Sequence, residues 1–309
     1  MSILTIDFGG TRTRAAWFSR AADGSPVLIN RREALTRVDE GQQAVIERLI
    51  ALGRAVIPSS EHPLAVGIAA PGPHDARTGV IHHAYTLPGW EDVPLGALLA
   101  EAFSAPVHMQ NDGNLGAIAE YAHGAGRGCS PMIYMTISTG IGGGVMLDGR
   151  LFTGWSGLAA EPGHVLVMGE DGHYTRLEAV ASGTAMGERA ARLLAMSDAP
   201  SMLRGLEHID GAAVGRAALA GDPLAESVVE DAGRHLGYGL VTLLHLFSPE
   251  CVVVGGSVSR LGDRLFAPAR AVIDRLVLDR RFVPPNFIRP ALLGEDVCLI
   301  GAGVAAEGR

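Results

Sequence analysis

The chain contains no lysine; all 25 of its basic residues are arginine. A Walker A phosphate loop, a protein-kinase strand lysine and a Schiff-base nucleophile are thereby excluded, because each needs an ammonium group on a flexible stem. Cysteine is scarce as well. Cys129, Cys251 and Cys298 are odd in number, widely spaced and form no C-x-x-C pair. A disulfide framework and an all-cysteine zinc site are therefore not expected, which fits a reducing compartment. No apolar run approaches the ~20 residues that span a bilayer. The first residues, Met1-Ser2-Ile3-Leu4-Thr5-Ile6-Asp7, lack a basic region and read as a strand, not a secretory leader. There is no basic excess either: the formal charge is −8, so non-specific nucleic-acid binding lacks its electrostatic drive. A cytoplasmic protein with neither nucleic-acid nor membrane partners is expected.

Glycine is what the chain has in excess, 41 of 309 residues, roughly twice the usual ~7%. It clusters at Gly9-Gly10, Gly142-Gly143-Gly144 and Gly255-Gly256, with no collagen-like period. Composition is otherwise globular, at 48% hydrophobic and 19% charged, and the length implies one large or two packed domains.

Ile3–Ile6 predicts a strand that stops at Asp7-Phe8-Gly9-Gly10-Thr11, with extended chain resuming over Thr13–Phe18. Further strands are expected at Leu64–Ala69, Val107–Gln110, Met132–Ile137, Val145–Leu147 and Cys251–Val254. Helical spacing marks Gly41–Ala55, Leu95–Phe103, Leu115–Ala122, Leu177–Ala181, Ala185–Leu194, Leu224–Phe247 and a segment from Val258. Val297–Ile300 and a short terminal helix close the chain. Residues 132–147 repeat the strand, glycine turn, strand plan of residues 3–18, which suggests two related halves. Continuous apolar strands alternating with helices indicate an α/β fold with both sheet faces covered. The domains are placed at 1–114 and 115–289, with 290–309 able to return to the first.

A glycine turn after a buried strand lets backbone N–H groups approach an anion without interference from a Cβ. The turns at 9–10, 140–144 and 255–256 are either phosphate cradles or ordinary tight hairpins. Asp7 at a strand's carboxyl end could hold Mg²⁺ directly or through water; Thr11 and Thr139 offer hydroxyls and Arg12 a cation. Asp112 follows a strand and opens a helix. It is either an N-cap or a general base at the sheet edge where α/β proteins bind ligands. Asn111 beside it both donates and accepts, as a polyhydroxyl ligand requires. Glu161-Pro162-Gly163-His164 forms a loop, followed by Glu178. Carboxylates and a neutral imidazole suit vicinal hydroxyls, although a lone histidine is often structural. Trp17, Trp90 and Trp155 read as packing residues, His82-His83 as a polar loop pair, Arg280-Arg281 as solvated surface, and the helix 224–247 as core.

Together these residues resemble the ROK family (repressors, open reading frames and sugar kinases) over nearly the whole chain. Asp7-Phe8-Gly9-Gly10-Thr11-Arg12 is similar to the family's D-x-G-G-T-K/R. Ile137 through His164 follows its long signature, including Gly140, Gly142, Gly154 and Gly163. Asn111-Asp112 falls at its N-D, Leu177-Glu178-Ala179 with Ser182-Gly183 at its L-E-A…S-G, and Val252–Gly256 at its adenosine-side motif. The resemblance implies an actin/hexokinase-like (ribonuclease H-like) fold of two α/β domains around a ligand cleft. It further implies ATP and Mg²⁺, a homodimer, and phosphorylation of a hexose or N-acetylhexosamine at its 6-hydroxyl, as in a glucokinase. On that match Asp112 is the catalytic base, and Asn111, Glu161, His164 and Glu178 hold the sugar. Asp7, Gly9, Gly10, Thr11, Arg12, Thr139, Gly140, Gly142, Gly255 and Gly256 serve the nucleotide and its phosphates.

Two departures stand out. Family members usually carry C-x-C-G-x-x-G-C before the L-E pair, binding structural zinc together with the His of G-H. Residues 165–176 contain no cysteine; Gly169, Asp171 and Arg176 stand near those positions, and no structural zinc is expected. Tyr85-Thr86 replaces the Pro-Asn common in the sugar kinases. Two other readings compete with the ATP-dependent kinase. A sugar-responsive regulator without catalysis is disfavoured by the retained Asp112 and by a first strand at Ile3, which leaves no room for an amino-terminal helix-turn-helix. A polyphosphate-dependent kinase is disfavoured by the negative charge, since a polyanion calls for a basic track.

Overall fold

Strand runs set most of the frame, and in chain order the elements are as follows. The first half comprises β1 (Ile3–Phe8), β2 (Arg12–Arg20), β3 (Pro26–Leu35), α1 (Gln42–Arg54), β4 (Ala65–Ala69), β5 (His74–Asp75), β6 (Val80–His83), β7 (Glu91–Val93), α2 (Leu95–Phe103), β8 (Val107–Gln110) and α3 (Asp112–His123). Next come β9 (Met132–Ile137), β10 (Ile141–Leu147), β11 (Arg150–Leu151), β12 (Leu166–Met168), β13 (Tyr174–Arg176), α4 (Glu178–Ala181), α5 (Gly183–Met196), α6 (Gly211–Leu219) and α7 (Pro223–Phe247). The chain finishes with β14 (Cys251–Gly255), α8 (Asp263–Leu276), β15 (Ile288–Pro290) and α9 (Val297–Ala306). The computed structural model describes every residue except Met1, Asp23, Tyr85, Thr86, Glu170 and Arg309. The Tyr85-Thr86 departure thus lies outside the described residues.

Two compact units share the chain. Unit 1 comprises Met1–Arg127, Thr153–Ala159 and Leu293–Arg309; unit 2 comprises Gly128–Phe152 and Ala160–Leu292. The first boundary therefore falls at 127/128 and not after Asn114. Helix α3 packs along α9, where Gly301 lets the backbones meet: a Cβ there would overlap the Leu115 carbonyl. That contact keeps α3 with the first sheet.

In unit 1 the sheet order is β3-β2-β1-β4-β8. The β1–β2 hairpin is antiparallel, with Asp7 opposite Arg14, while β1, β4 and β8 run parallel. The carboxyl ends of those three strands share one edge, so residues 9–11 and 111–112 emerge at the same edge with β4 between them. Leu4, Ile6 and Ile68 are fully buried, as expected for strands covered on both faces. Gly67 has no room for a Cβ because the Ala302 backbone of α9 lies against it. Strand β3 is an edge strand with most of its residues exposed.

Unit 2 repeats the plan, with order β11-β10-β9-β14-β15. An antiparallel β9–β10 hairpin is followed by β14 and β15 running parallel. Helix α7 starts at Pro223, capped by Asp222, whose Oδ1 accepts from the Ala225 N–H at 3.0 Å. It buries Val228, Ala232, Leu236, Leu240 and Leu244 in the core. The helix expected from Val258 is a 3₁₀ turn, Val258–Leu261. Gly262, at φ 58, interrupts the chain before α8.

Trp17 and Trp90 are each 1% exposed, but Trp155 is wholly exposed at 101%. It is therefore not a packing residue: it sits in a loop between Gly154 (φ 66) and Gly157 (φ 81). His82-His83 lies on strand β6 and not in a loop, with His82 Nδ1 2.9 Å from Asp92 Oδ1.

Candidate active site

In unit 1 the strand β1 delivers Asp7 to the sheet edge. Arg14, its cross-strand neighbour, grips it: Nε lies 3.0 Å from Asp7 Oδ2, and Nη2 bonds the same oxygen. Burial works against the Arg14 charge, and Asp7 outweighs it, so the Arg14 pKa stands above its ordinary value. Arg14 was not among the expected site residues. Its signal was the antiparallel pairing, which places position 14 against 7 once the hairpin register is known. Arg12 instead pairs with Glu33 on β3. The turn itself is tight. Gly9 donates to the Arg12 carbonyl at 3.1 Å, and a Cβ on Gly9 would come within 2.8 Å of that oxygen. Thr36 Oγ1 donates to the Gly9 carbonyl at 2.6 Å, and Thr11 emerges exposed beside it.

Two strands away, β8 ends and α3 begins. The N-cap is Asn111, whose Oδ1 accepts from the Asn114 N–H at 2.7 Å. Asp112 is thus relieved of the capping role and stands in the first turn, accepting from the Gly113 N–H at 2.8 Å. Its side chain is reachable by solvent, yet protein crowds it closely enough to deny the carboxylate a full hydration shell. That desolvation raises its pKa above the ordinary carboxylate range; Asp7 adds a like charge in the same direction, and the Gly113 N–H opposes. A raised carboxylate with access is what a general base near neutral pH requires. Cys298, in the first turn of α9, places Sγ 3.9 Å from the Asp112 carbonyl. Burial, then Asp7 and Asp112, hold that thiol well above its usual pKa, as an uncharged neighbour.

Unit 2 gathers Glu161, His164 and Glu178 around one residue, Ile141. Glu178 Oε2 accepts from the Ile141 N–H at 2.9 Å. Gly163 packs on the Ile141 carbonyl, where a Cβ would overlap, and Pro162 rests against Gly143. Glu161 and His164, both exposed, flank this anchored Pro-Gly. The backbone closes as a 3₁₀ turn, with the His164 N–H bonding the Glu161 carbonyl at 3.1 Å. Gly140 belongs to the same cluster, since a Cβ there would meet Glu178 Oε2 at 2.5 Å.

The second glycine turn is shorter than its sequence suggested. Strand β10 begins at Ile141, so Gly142, Gly143 and Gly144 lie in the ladder opposite Thr136, Met135 and Tyr134. The turn proper is Ser138-Thr139-Gly140, and it rests on the start of α5. Gly183 donates to the Ser138 carbonyl at 2.7 Å, and Thr184 donates to Thr139 at 3.3 Å. Gly256, at φ 87, closes the other side: a Cβ would overlap the Ile137 backbone. The α-helix N-terminus on which the 138–140 turn rests is therefore that of α5, capped by Ser182 Oγ, while only a 3₁₀ turn begins at Val258. Gly211 packs so closely on the Gly183 backbone that it admits no Cβ, and a Cβ on Gly183 itself would overlap the Ser138 carbonyl.

Among the described residues, no cluster of three or more His, Cys, Asp or Glu side chains could hold a metal ion. Leu166–Met168 and Tyr174–Arg176 pair as the β12–β13 hairpin, closed by backbone bonds from Gly169 to His173 (2.8 Å) and from Gly172 to Gly169 (3.1 Å). No helix of the described residues is long and apolar enough to cross a membrane.

The ROK family matches this chain over residues 3–308. The chain belongs to the ROK family. A glucokinase of Thermotoga maritima is 33% identical over 100% of this chain and 98% of its own. The solved structure of a ROK hexokinase from Thermus thermophilus superposes with a TM-score of 0.78 at 32% identity, covering 99% of this chain and 98% of that one. A ROK glucokinase of Streptomyces griseus, solved in complex with glucose and AMPPNP, gives a TM-score of 0.78 at 29% identity over the whole of both chains. The ROK sugar kinases have the actin/hexokinase-like fold, and the paired sheets described above are that fold's two halves.

Proposed function

We propose that this chain is an ATP- and Mg²⁺-dependent sugar kinase that phosphorylates a hexose or N-acetylhexosamine at its 6-hydroxyl. The observation that carries the reading is Asp112. It is freed from capping by Asn111, open to solvent and raised in pKa by desolvation. The sugar's 6-oxygen attacks the γ-phosphorus in line, the bond from that phosphorus to the bridging oxygen breaks, and ADP leaves. Asp112 takes the hydroxyl proton as the attack proceeds.

The remaining roles follow from donor and acceptor chemistry. Asn111, Glu161 and His164 address sugar hydroxyls, joined by Glu178 through the carboxylate oxygen not spent on Ile141. The short turn at 138–140, with Thr139 and Gly140, and the turns at Gly9-Gly10-Thr11 and Gly255-Gly256 offer backbone N–H groups to phosphates, where developing charge is stabilised without reorganisation. Gly142 shapes the strand beneath Thr139. Mg²⁺ enters as part of the MgATP substrate, and Asp7, oriented by Arg14, suits a water of its shell. Arg12 contributes positive field.

The test is ADP release measured across a panel of hexoses and N-acetylhexosamines with MgATP. Turnover on at least one sugar is expected. Sugar binding without turnover on any member would make the chain a regulator and overturn the proposal.

A further inference from the structure

The chain between the Glu161–His164 turn and Glu178 is almost entirely the β12–β13 hairpin, whose strands are three residues each. A ribbon this short does not hold its own position in water. Its outer face, Leu166, Met168 and Tyr174, is exposed, while Val167 is buried beneath it. The tether lies on α7. His235, 5% exposed, sets Nδ1 3.0 Å from the Asp231 carbonyl and 3.3 Å from Asp231 Oδ2, and its ring also hydrogen-bonds the backbone of Met168 on β12. With Nδ1 spent on Asp231, that bond falls to Nε2. A carbonyl oxygen only accepts, so the ring serves both contacts at once when it is protonated and carries a donor on each nitrogen.

The charged surroundings agree. From α7, Asp231, Arg234 and the edge of Tyr238 (centroids 6.0 Å apart) face this ring or its partner, and from α5 comes Arg189. Arg189 Nη1 lies 2.8 Å and Arg234 Nη2 2.7 Å from the Asp231 carboxylate. Burial pushes Asp231 up, but His235, Arg234 and Arg189 hold it at about 2. Burial likewise opposes the His235 charge, and its bonds to Asp231 and Met168 overcome it, so its pKa stands above the ordinary imidazole value.

We propose that His235 is a positioning residue for the sugar site: by tying the β12–β13 hairpin to α7, it sets the placement of the Glu161–His164 turn relative to Glu178. This rests on the kinase reading above. As pH rises through the elevated His235 pKa, the ring loses one donor, the hairpin loosens and the sugar is held less well.

The test compares wild type, His235→Phe, His235→Gln and Asp231→Asn from about pH 6 to 9. Readouts are KM for sugar and for ATP, sugar binding by calorimetry without nucleotide, and hydrogen exchange of the 166–176 amides. His235→Phe raises the sugar KM and Kd about tenfold, equivalent to about 1.4 kcal/mol, speeds exchange in the hairpin and abolishes the alkaline rise in sugar KM. Its kcat and ATP KM stay within about twofold of wild type. His235→Gln, which keeps one donor, recovers part of the loss. Asp231→Asn moves the wild-type break in sugar KM to lower pH. A sugar KM unchanged in His235→Phe, or a parallel loss in kcat and both KM values, overturns the proposal. Should that variant not fold, hairpin exchange and sugar KM that stay flat with pH in the wild type overturn it. Absence of turnover on every sugar would sink the kinase reading instead, while hairpin exchange would still decide the tether.

Discussion

In unit 1 the turn after the first strand is braced mainly by side chains around one backbone bond, whereas in unit 2 the equivalent turn leans mainly on neighbouring main chain, with Glu178 its side-chain contact. Thr36 Oγ1 bonds Gly9, Thr13 Oγ1 lies 3.1 Å from Thr36 Oγ1, and Arg14 pairs with Asp7. In unit 2, Gly183 and Thr184 donate main-chain bonds to Ser138 and Thr139, and Gly256 lies directly on Ile137. The strand orders are the same, antiparallel hairpin first and parallel strands after. A common frame therefore serves two purposes. The unit 1 edge sets Asp7 near Asp112, whose like charge adds to the desolvation that raises the Asp112 pKa. The unit 2 edge removes Cβ atoms and so brings main-chain donors close together.

Breaking the unit 1 edge has the largest expected effect. Asp112→Asn lowers kcat by about 10²–10⁴-fold, the usual worth of a general base, while calorimetry shows sugar and nucleotide still bound. The same variant gains stability at neutral pH. A carboxyl whose native pKa is raised binds more protons folded than unfolded, so its contribution to stability falls as pH climbs from ~3.9 through the raised value. Asn removes that loss, and melting curves at neutral and acid pH show the gap between variant and wild type closing in acid.

Next in size is the unit 2 edge. Gly256→Ala forces a Cβ onto the Ile137 backbone from a left-handed conformation and costs about 2–5 kcal/mol, read from denaturant unfolding. Gly41→Ala, in unit 1, has φ 90 but nothing within 4 Å of the added Cβ, and so costs only about 1 kcal/mol. Equal losses would mean that close backbone approach is not what the Gly256 turn requires. Asp7→Asn acts more gently on the proton acceptor itself. With Asp7's like charge removed, the Asp112 pKa drops, and the acid limb of kcat/KM moves to lower pH. A limb that stays put would show desolvation acting alone. Smallest is Ala160→Gly. Ala160 sits at φ 68 beside Glu161, and glycine relieves that strain, raising stability by about 0.5–1 kcal/mol.

Buried, β-branched runs were legible because burial on both faces leaves them continuously apolar: Ile3–Phe8, Met132–Ile137 and Cys251–Gly255 lie close to where their pattern put them. Strand β3 was not, since most of its side chains meet water and no alternation marks it. Helix α6 is rich in alanine and glycine, which blurs its periodicity. Within the site, Asn111, Asp112, Glu161, His164 and Glu178 were readable as chemistry. Which of Asn111 and Asp112 caps α3 was settled only by geometry, because both side chains are suited to it. Arg14 meets Asp7 only through the hairpin register, and Gly183 lay within a recognised motif whose contact with Ser138, far along the chain, was not readable.

Trp155 has a practical consequence. Trp17 and Trp90 emit from an apolar interior, whereas the indole of Trp155 is bathed in water, so its fluorescence lies to the red and acrylamide reaches it first. A ligand that orders residues 153–159 would shift that component alone, giving an intrinsic, label-free optical reporter a few residues upstream of Glu161.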